Sequence, residues 1–99
     1  MITVVAKLQA VAGKEAELEA VLTEMVGNVK QHEAGVVPIY SLHKADNDGT
    51  LFLFYEQYTN AEAQDAHGKT AHMAAMGGKL AGLLAGRPVI ERYTQIAGV

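Results

Sequence analysis

The side chains best suited to proton transfer lie within one stretch of the sequence, residues 51–73. His67 and His72 both fall there, and imidazole is the side chain that changes its charge closest to neutral pH. A histidine near a helix end is more often a surface or capping residue than a catalyst. These two, however, follow an aromatic strand-like run, where a helix would cross the sheet and a pocket would open. We therefore treat His67 and His72 as candidate catalytic bases.

Metal chemistry has little support in the sequence. His67 and His72 are five positions apart across a break at Gly68, not at the four-residue spacing that places two ligands on one helix face. The chain has no cysteine, which excludes thiolate metal sites and disulfide bonds. We accordingly expect no metal site and no other cofactor.

Glu56 is the third candidate for a catalytic role. It lies in the strand-like run of residues 51–58, and burial without a partner would raise the pKa of its carboxyl group and make it a base. The alternative is a cross-strand ion pair with Lys7, Lys44 or Arg92. Of the two interpretations, we favour the ion pair.

Three tyrosines are candidate substrate-binding residues, namely Tyr40, Tyr55 and Tyr58. Each combines an apolar ring with a hydroxyl group and would suit a phenolic substrate. The alternative for each tyrosine is a role in packing, in the protein core or in a dimer interface. We expect at least one of the three tyrosines to be such a packing residue.

The composition limits the class of protein and its partners. With 99 residues, of which 49% are hydrophobic and 19% charged, the chain is expected to form one globular domain over residues 1–99. A net charge of −3 disfavours nucleic-acid binding, which needs clustered basic residues. No apolar run approaches the ~18 residues of a membrane span, and no signal-peptide pattern is present, so we expect a cytoplasmic protein.

Hydrophobic periodicity predicts four strands and two helices, the second helix in two pieces. The predicted strands cover residues 1–10, 36–44, 51–58 and 89–96, and the predicted helices begin near residues 15 and 59. Thr59 and Glu62 have capping-box spacing, and Gly68 separates the two pieces of the second helix. This order predicts an α+β fold of the ferredoxin-like βαββαβ type, with a four-stranded antiparallel sheet.

The predicted sheet has apolar residues on both faces, while the two helices can cover only one. An uncovered apolar face would exceed the ~300–600 Å² patch that soluble monomers usually expose. A second copy of the same sheet is the simplest cover, so we expect a homodimer that joins through the sheet faces.

Two runs resemble the antibiotic-biosynthesis monooxygenase (ABM) family: FYEQY at residues 54–58 and AHGKTAHM at residues 66–73. In that family, a Tyr-Glu-x-aromatic strand is followed by His-x-x-Thr-Pro-His-Phe. Ala71 replaces the usual proline and Met73 the usual aromatic residue, so the pocket is reshaped without loss of a titratable group. The resemblance implies a dimeric α+β barrel in which Met73 contributes to substrate binding.

The family includes cofactor-free quinol and anthrone oxygenases, isomerases of small signalling sugars and haem-degrading enzymes. We predict a cofactor-free monooxygenase that oxidises a quinol-like or anthrone-type polyphenol with O₂. Such chemistry needs a base, a water-poor cavity and groups that hold the substrate anion. The alternatives are an isomerase or degradation enzyme for a small carbonyl metabolite and a non-catalytic ligand-binding module. Haem degradation ranks last, because the chain has no tryptophan and no histidine after His72.

Overall fold

The computed structural model describes residues 1–99 and has the predicted ferredoxin-like order of elements. The four strands pair antiparallel in the order β2-β3-β1-β4. Their bounds are β1 Ile2–Gln9, β2 Ile39–Ala45, β3 Asp48–Tyr58 and β4 Val89–Thr94. The helices are α1 Glu15–His32, α2 Ala61–Gly68 and α3 Ala71–Lys79. None of the three helices is long and apolar enough to span a bilayer.

The core lies between one face of the sheet and the helices. Apart from the irregularity at the β2–β3 hairpin, the pairing register places the even-numbered strand residues on this face. Helix α1 buries Leu18, Leu22, Met25 and Val29, which recur at intervals of four, three and four residues. Fully burying each such side chain contributes roughly 1.5–3 kcal/mol, so the amphipathic stripe holds α1 against the sheet.

Helix α2 begins one residue later than its capping-box pattern predicts. The N-cap is Asn60, whose side chain accepts a hydrogen bond of 2.8 Å from the Ala63 backbone N–H. The prediction of Thr59 as the cap was wrong, because Asn at the next position satisfies the same free donors at the helix start. Thr70 caps α3 in the same way, since its hydroxyl accepts from the Met73 backbone N–H at 3.3 Å.

The last strand is shorter than the predicted range 89–96, and the last helix ends before the buried Leu83. Helix α3 ends at Lys79, and Gly82 then takes a φ of +78°, a left-handed conformation that favours glycine. Leu83 is nevertheless buried, in a turn beyond the helix. Strand β4 ends at Thr94, and Ile96 lies beyond it with its side chain exposed.

No helix covers the odd-numbered face of the sheet. Val5, Leu53 and Tyr55 lie half-buried on this face, and on β4 Val89 is 55% and Tyr93 51% exposed. The helix-facing side is also open at one place, since Ile90 on β4 is 66% exposed. The helices therefore leave one whole sheet face and one edge of the other uncovered.

Candidate functional site

One buried carboxylate joins the two candidate histidines. Glu33 caps the end of α1 and is 7% exposed. Both of its carboxylate oxygens lie 3.1 Å from Nδ1 of His67, which is in the last turn of α2. Its Oε2 atom also lies 2.6 Å from Nε2 of His72, in the first turn of α3. The ends of three helices thus meet at Glu33.

This arrangement assigns a role to each nitrogen of His67. A glutamate carboxylate accepts hydrogen bonds, so the Nδ1–H group that faces Glu33 is the donor. Nε2 is then the nitrogen with the free lone pair, and it has no hydrogen-bond partner within the protein. A histidine whose Nδ1 is bonded to a carboxylate and whose Nε2 is free is oriented to accept a proton.

Glu33, His67 and His72 are also the only group in the chain that could hold a metal ion, with donor atoms within 4.8 Å of one another. Two such ligands on a tetrahedral zinc, each ~2.0–2.2 Å from the metal, lie about 3.3 Å apart. The 2.6 Å between His72 Nε2 and Glu33 Oε2 is shorter than that. It matches a direct charge-assisted hydrogen bond, so the geometry is that of a hydrogen-bonded network.

His67 lines a cavity of about 290 Å³ between the sheet and helices α2 and α3. The cavity is lined mainly by apolar side chains and opens beside Pro88 and Ile90 at the β4 edge. The other lining residues are Val4, Ala6, Leu8, Met25, Tyr40, Phe54, Glu56, Tyr58, Gln64, Gly68, Met73 and Leu80. Mostly apolar walls with a few polar groups are typical of small-molecule sites.

A larger groove of about 550 Å³ lies between α1 and β2. Its charged residues Glu19 and Lys44 pair with each other at 2.5 Å on the surface. None of the three residues of the Glu33 network lines it. We therefore regard the smaller cavity as the candidate site.

Glu56 lies on the cavity wall and is not in an ion pair, so the favoured interpretation from the sequence was wrong. Lys44 binds Glu19 instead, and Lys7 lies on the opposite face of the sheet. The partner of Glu56 is the Tyr58 hydroxyl, which donates a very short hydrogen bond to it. Burial raises the pKa of Glu56 to about 7, against the opposing effect of the Tyr58 hydrogen bond.

Tyr40 and Tyr58 flank the candidate base. Their ring centroids lie 5.3 Å and 5.4 Å from the centroid of the His67 ring. Burial, reinforced by the nearby carboxylates, raises the pKa of both phenols above the ordinary value. Both hydroxyls therefore stay protonated and can donate hydrogen bonds at neutral pH.

The structure separates two of the predicted site residues from the cavity. Tyr55 pairs with Val5 and Ser41 on the opposite face of the sheet, because it is offset by one residue from Glu56. His72 contacts Glu33 and stacks on His32 at 5.3 Å, but it does not line the cavity. The structure does bring His67, Glu56 and Met73 together at the cavity.

Glu33 was missed in the sequence, although a signal for it exists. The buried positions of α1 end at Val29, and the next position of the same stripe, four residues on, is Glu33. An acid on an apolar stripe is buried and needs partners. Which partners it has cannot be read from the stripe, since both histidines come from other helices.

Comparisons with known proteins agree with this fold. The family model described as antibiotic biosynthesis monooxygenase matches residues 1–78. A structure from Caulobacter crescentus, described as a candidate antibiotic biosynthesis monooxygenase, is 31% identical with a TM-score of 0.89, over 97% of this chain and 90% of that one. A Pseudomonas aeruginosa protein is 25% identical with a TM-score of 0.87, over 97% and 94% of the two chains. Among curated protein sequences, none matches this chain.

Proposed function

We propose that this chain, which belongs to the antibiotic biosynthesis monooxygenase family, oxidises a small quinol-like molecule with O₂ and without a cofactor. The observation that carries this proposal is the Glu33–His67 pair beside the apolar cavity. A base oriented by a carboxylate and opening onto a water-poor space is what phenol deprotonation needs.

The reaction begins with proton transfer from a substrate hydroxyl to His67 Nε2. Glu33 stabilises the imidazolium that forms, as the carboxylate of a catalytic triad does. The electron-rich substrate anion then reduces O₂, and a C–O bond forms at a ring carbon. The O–O bond is then cleaved: the proton returned from His67 and the hydrogen lost from the same ring carbon leave with one oxygen atom as water, and the other oxygen atom stays in the product. The substrate loses four electrons in all, and O₂ gains them.

The Glu56–Tyr58 pair controls the charge next to the substrate anion. Because burial raises the pKa of Glu56 to about 7, much of this carboxyl group is neutral near neutral pH. A second negative charge in the same apolar cavity would oppose substrate ionisation. A neutral Glu56 therefore favours the reactive anion.

The size of the cavity fits a small aromatic substrate. At about 290 Å³, it is at the lower limit of the ~300–1,000 Å³ typical of ligand pockets. One or two fused rings fit within this space. We therefore propose a benzoquinol or naphthoquinol as the substrate.

Oxygen uptake tests this function. The protein in metal-free buffer is supplied with 1,4-dihydroxynaphthalene, and uptake is compared with the autoxidation rate of the same solution. We expect uptake above that rate, and its loss in His67→Gln. The matched control is His43→Gln, which alters a histidine on the other face of the sheet. Uptake no faster than autoxidation would contradict the proposal.

A second function uses the same base without O₂. The small cavity and the Glu33–His67 pair would equally serve an isomerase that removes a proton next to the carbonyl group of a small metabolite. Anaerobic turnover of such a carbonyl compound would favour this function, and strict oxygen dependence would exclude it.

We also propose that the protein is a homodimer joined through the odd-numbered sheet face. Val89 and Tyr93 are each about half exposed there, at 55% and 51%. Two such faces packed against each other form the self-complementary contact of a two-fold dimer. The dimer would remove this apolar surface from water.

A further inference from the structure

Glu56 has one carboxyl oxygen that no protein group binds. Oε1 accepts the hydrogen bond from the Tyr58 hydroxyl, whereas Oε2 has no hydrogen-bond partner within the protein. Oε2 is not sealed off, because Oε1 of Gln64 is the only side-chain oxygen or nitrogen that is both inaccessible and unpaired. Glu56 lines the same cavity as His67. The free oxygen of its carboxyl group is therefore open to a ligand in that cavity.

The strand register places Glu56 among the aromatic side chains of the cavity wall. Tyr40 is its partner across the β2–β3 ladder, and Tyr58 lies two residues on, on the same face of β3. The rings of both tyrosines lie beside the His67 ring. Glu56 and His67 are thus two titratable side chains that line one small apolar space.

The proposed reaction needs a second proton carrier besides His67. Once oxygen has bonded to a ring carbon, that carbon still holds a hydrogen, which must be removed as a proton when the O–O bond breaks. His67 has already returned its own proton to the peroxide at this stage. Burial raises the pKa of Glu56 to about 7, and a group with such a pKa can both donate and accept a proton near neutral pH.

We infer that Glu56 is a second catalytic residue, which gives its proton to the leaving oxygen through Oε2 and takes the proton of the ring carbon in exchange. This inference rests on the proposed monooxygenase function. The proton returned from His67 first completes a hydroperoxide on the ring carbon. Glu56 then protonates the outer oxygen as the O–O bond breaks, and water leaves with the electron pair of that bond. The carboxylate removes the proton from the carbon, and the electron pair of the C–H bond forms the C=O bond of the product. Glu56 ends neutral, as it began.

Without this carrier the hydroperoxide has a different fate. It can lose H₂O₂, with the second proton supplied by the remaining ring hydroxyl, and this loss gives the quinone that carries no added oxygen. The C–H bond stays intact on this route, so no group has to remove a proton from carbon. Because the two routes have different products, the role of Glu56 can be measured separately from oxygen uptake.

Product analysis with 1,4-dihydroxynaphthalene tests this inference. After subtraction of autoxidation, the native protein should form 2-hydroxy-1,4-naphthoquinone and little H₂O₂. Glu56→Gln has a side chain of the same shape that cannot carry the proton. It should still consume oxygen, but form at least about tenfold less of the hydroxyquinone and release 1,4-naphthoquinone and H₂O₂ instead. Catalase detects the peroxide by returning part of the oxygen consumed. Glu62→Gln, an exposed acid on α2, is the matched control and should give the native products.

Two results would overturn the inference and leave the monooxygenase in place. One is a native yield of hydroxyquinone from Glu56→Gln. The other is the loss of oxygen uptake in folded Glu56→Gln, since Glu56 would then act before oxygen reacts. Native uptake no faster than autoxidation would overturn the function and the inference together. If Glu56→Gln does not fold, Glu56→Met is an unbranched side chain of similar length that also carries no proton, and the same change of products is expected.

Discussion

Glu33 and His67 are 34 positions apart in the sequence, yet His67 Nδ1 lies 3.1 Å from both oxygens of the Glu33 carboxylate. One residue ends α1 and the other lies in the last turn of α2. The contact joins two helix ends on the same side of the sheet. It sets both the ring orientation and the tautomer of the proposed base.

Glu33→Gln should lower kcat for quinol oxidation by roughly 10²–10⁴-fold, the usual contribution of a positioned acid or base. The amide can still accept a hydrogen bond, but it cannot stabilise the imidazolium. Binding of the substrate should change much less than kcat, because Glu33 does not line the cavity. Steady-state oxygen uptake measures both parameters, with the exposed Glu24→Gln as the control. A purely structural role would change folding or binding and leave kcat intact.

Glu56 should make stability depend on pH in a defined window. Its pKa is raised from 4.5 to about 7 in the folded protein, so the folded state holds a proton that the unfolded state has lost. The free energy of unfolding should therefore fall by about 3 kcal/mol as pH rises from about 4.5 to 7. Urea unfolding at several pH values measures this fall. Glu56→Gln, which has no titratable group at position 56, should not show it. Parallel pH profiles for the two proteins would contradict the raised pKa.

Removal of metal ions should leave activity unchanged. The 2.6 Å between His72 Nε2 and Glu33 Oε2 is the length of a direct charge-assisted hydrogen bond. We expect equal rates of oxygen uptake before and after dialysis against EDTA. A loss of activity that one added divalent metal restores would instead show that these residues are metal ligands.

The homodimer should be the stable form of the protein, so its thermal midpoint should rise with protein concentration. Val89→Glu places a charge in the proposed interface and should shift the mass in light scattering toward the monomer or unfold the protein. Ile96→Glu is the matched control, because Ile96 is 98% exposed and lies beyond β4. A well-folded native monomer at micromolar concentration would show that the odd-numbered face has no partner copy.

Patterns along the chain were sufficient to predict the order of elements. The stripe from Leu18 to Val29 and the alternation of residues in β1 each reflect burial on one face. The break at Gly68 correctly divided the second helical region into two helices. Element ends were less predictable, because the cap at Asn60 and the end of α3 depend on single local contacts.

The sequence by itself determined which chemical groups are present: histidines on either side of a helix break, and Glu56 and Tyr58 two residues apart on one strand face. Only the tertiary structure decided which of these groups meet. The strand register sent Tyr55 away from the cavity, and the packing of α1 against α2 and α3 brought Glu33 to His67 and His72. Periodicity shows that a side chain is buried, but its partners depend on how separate elements pack, and that information is not local in the chain.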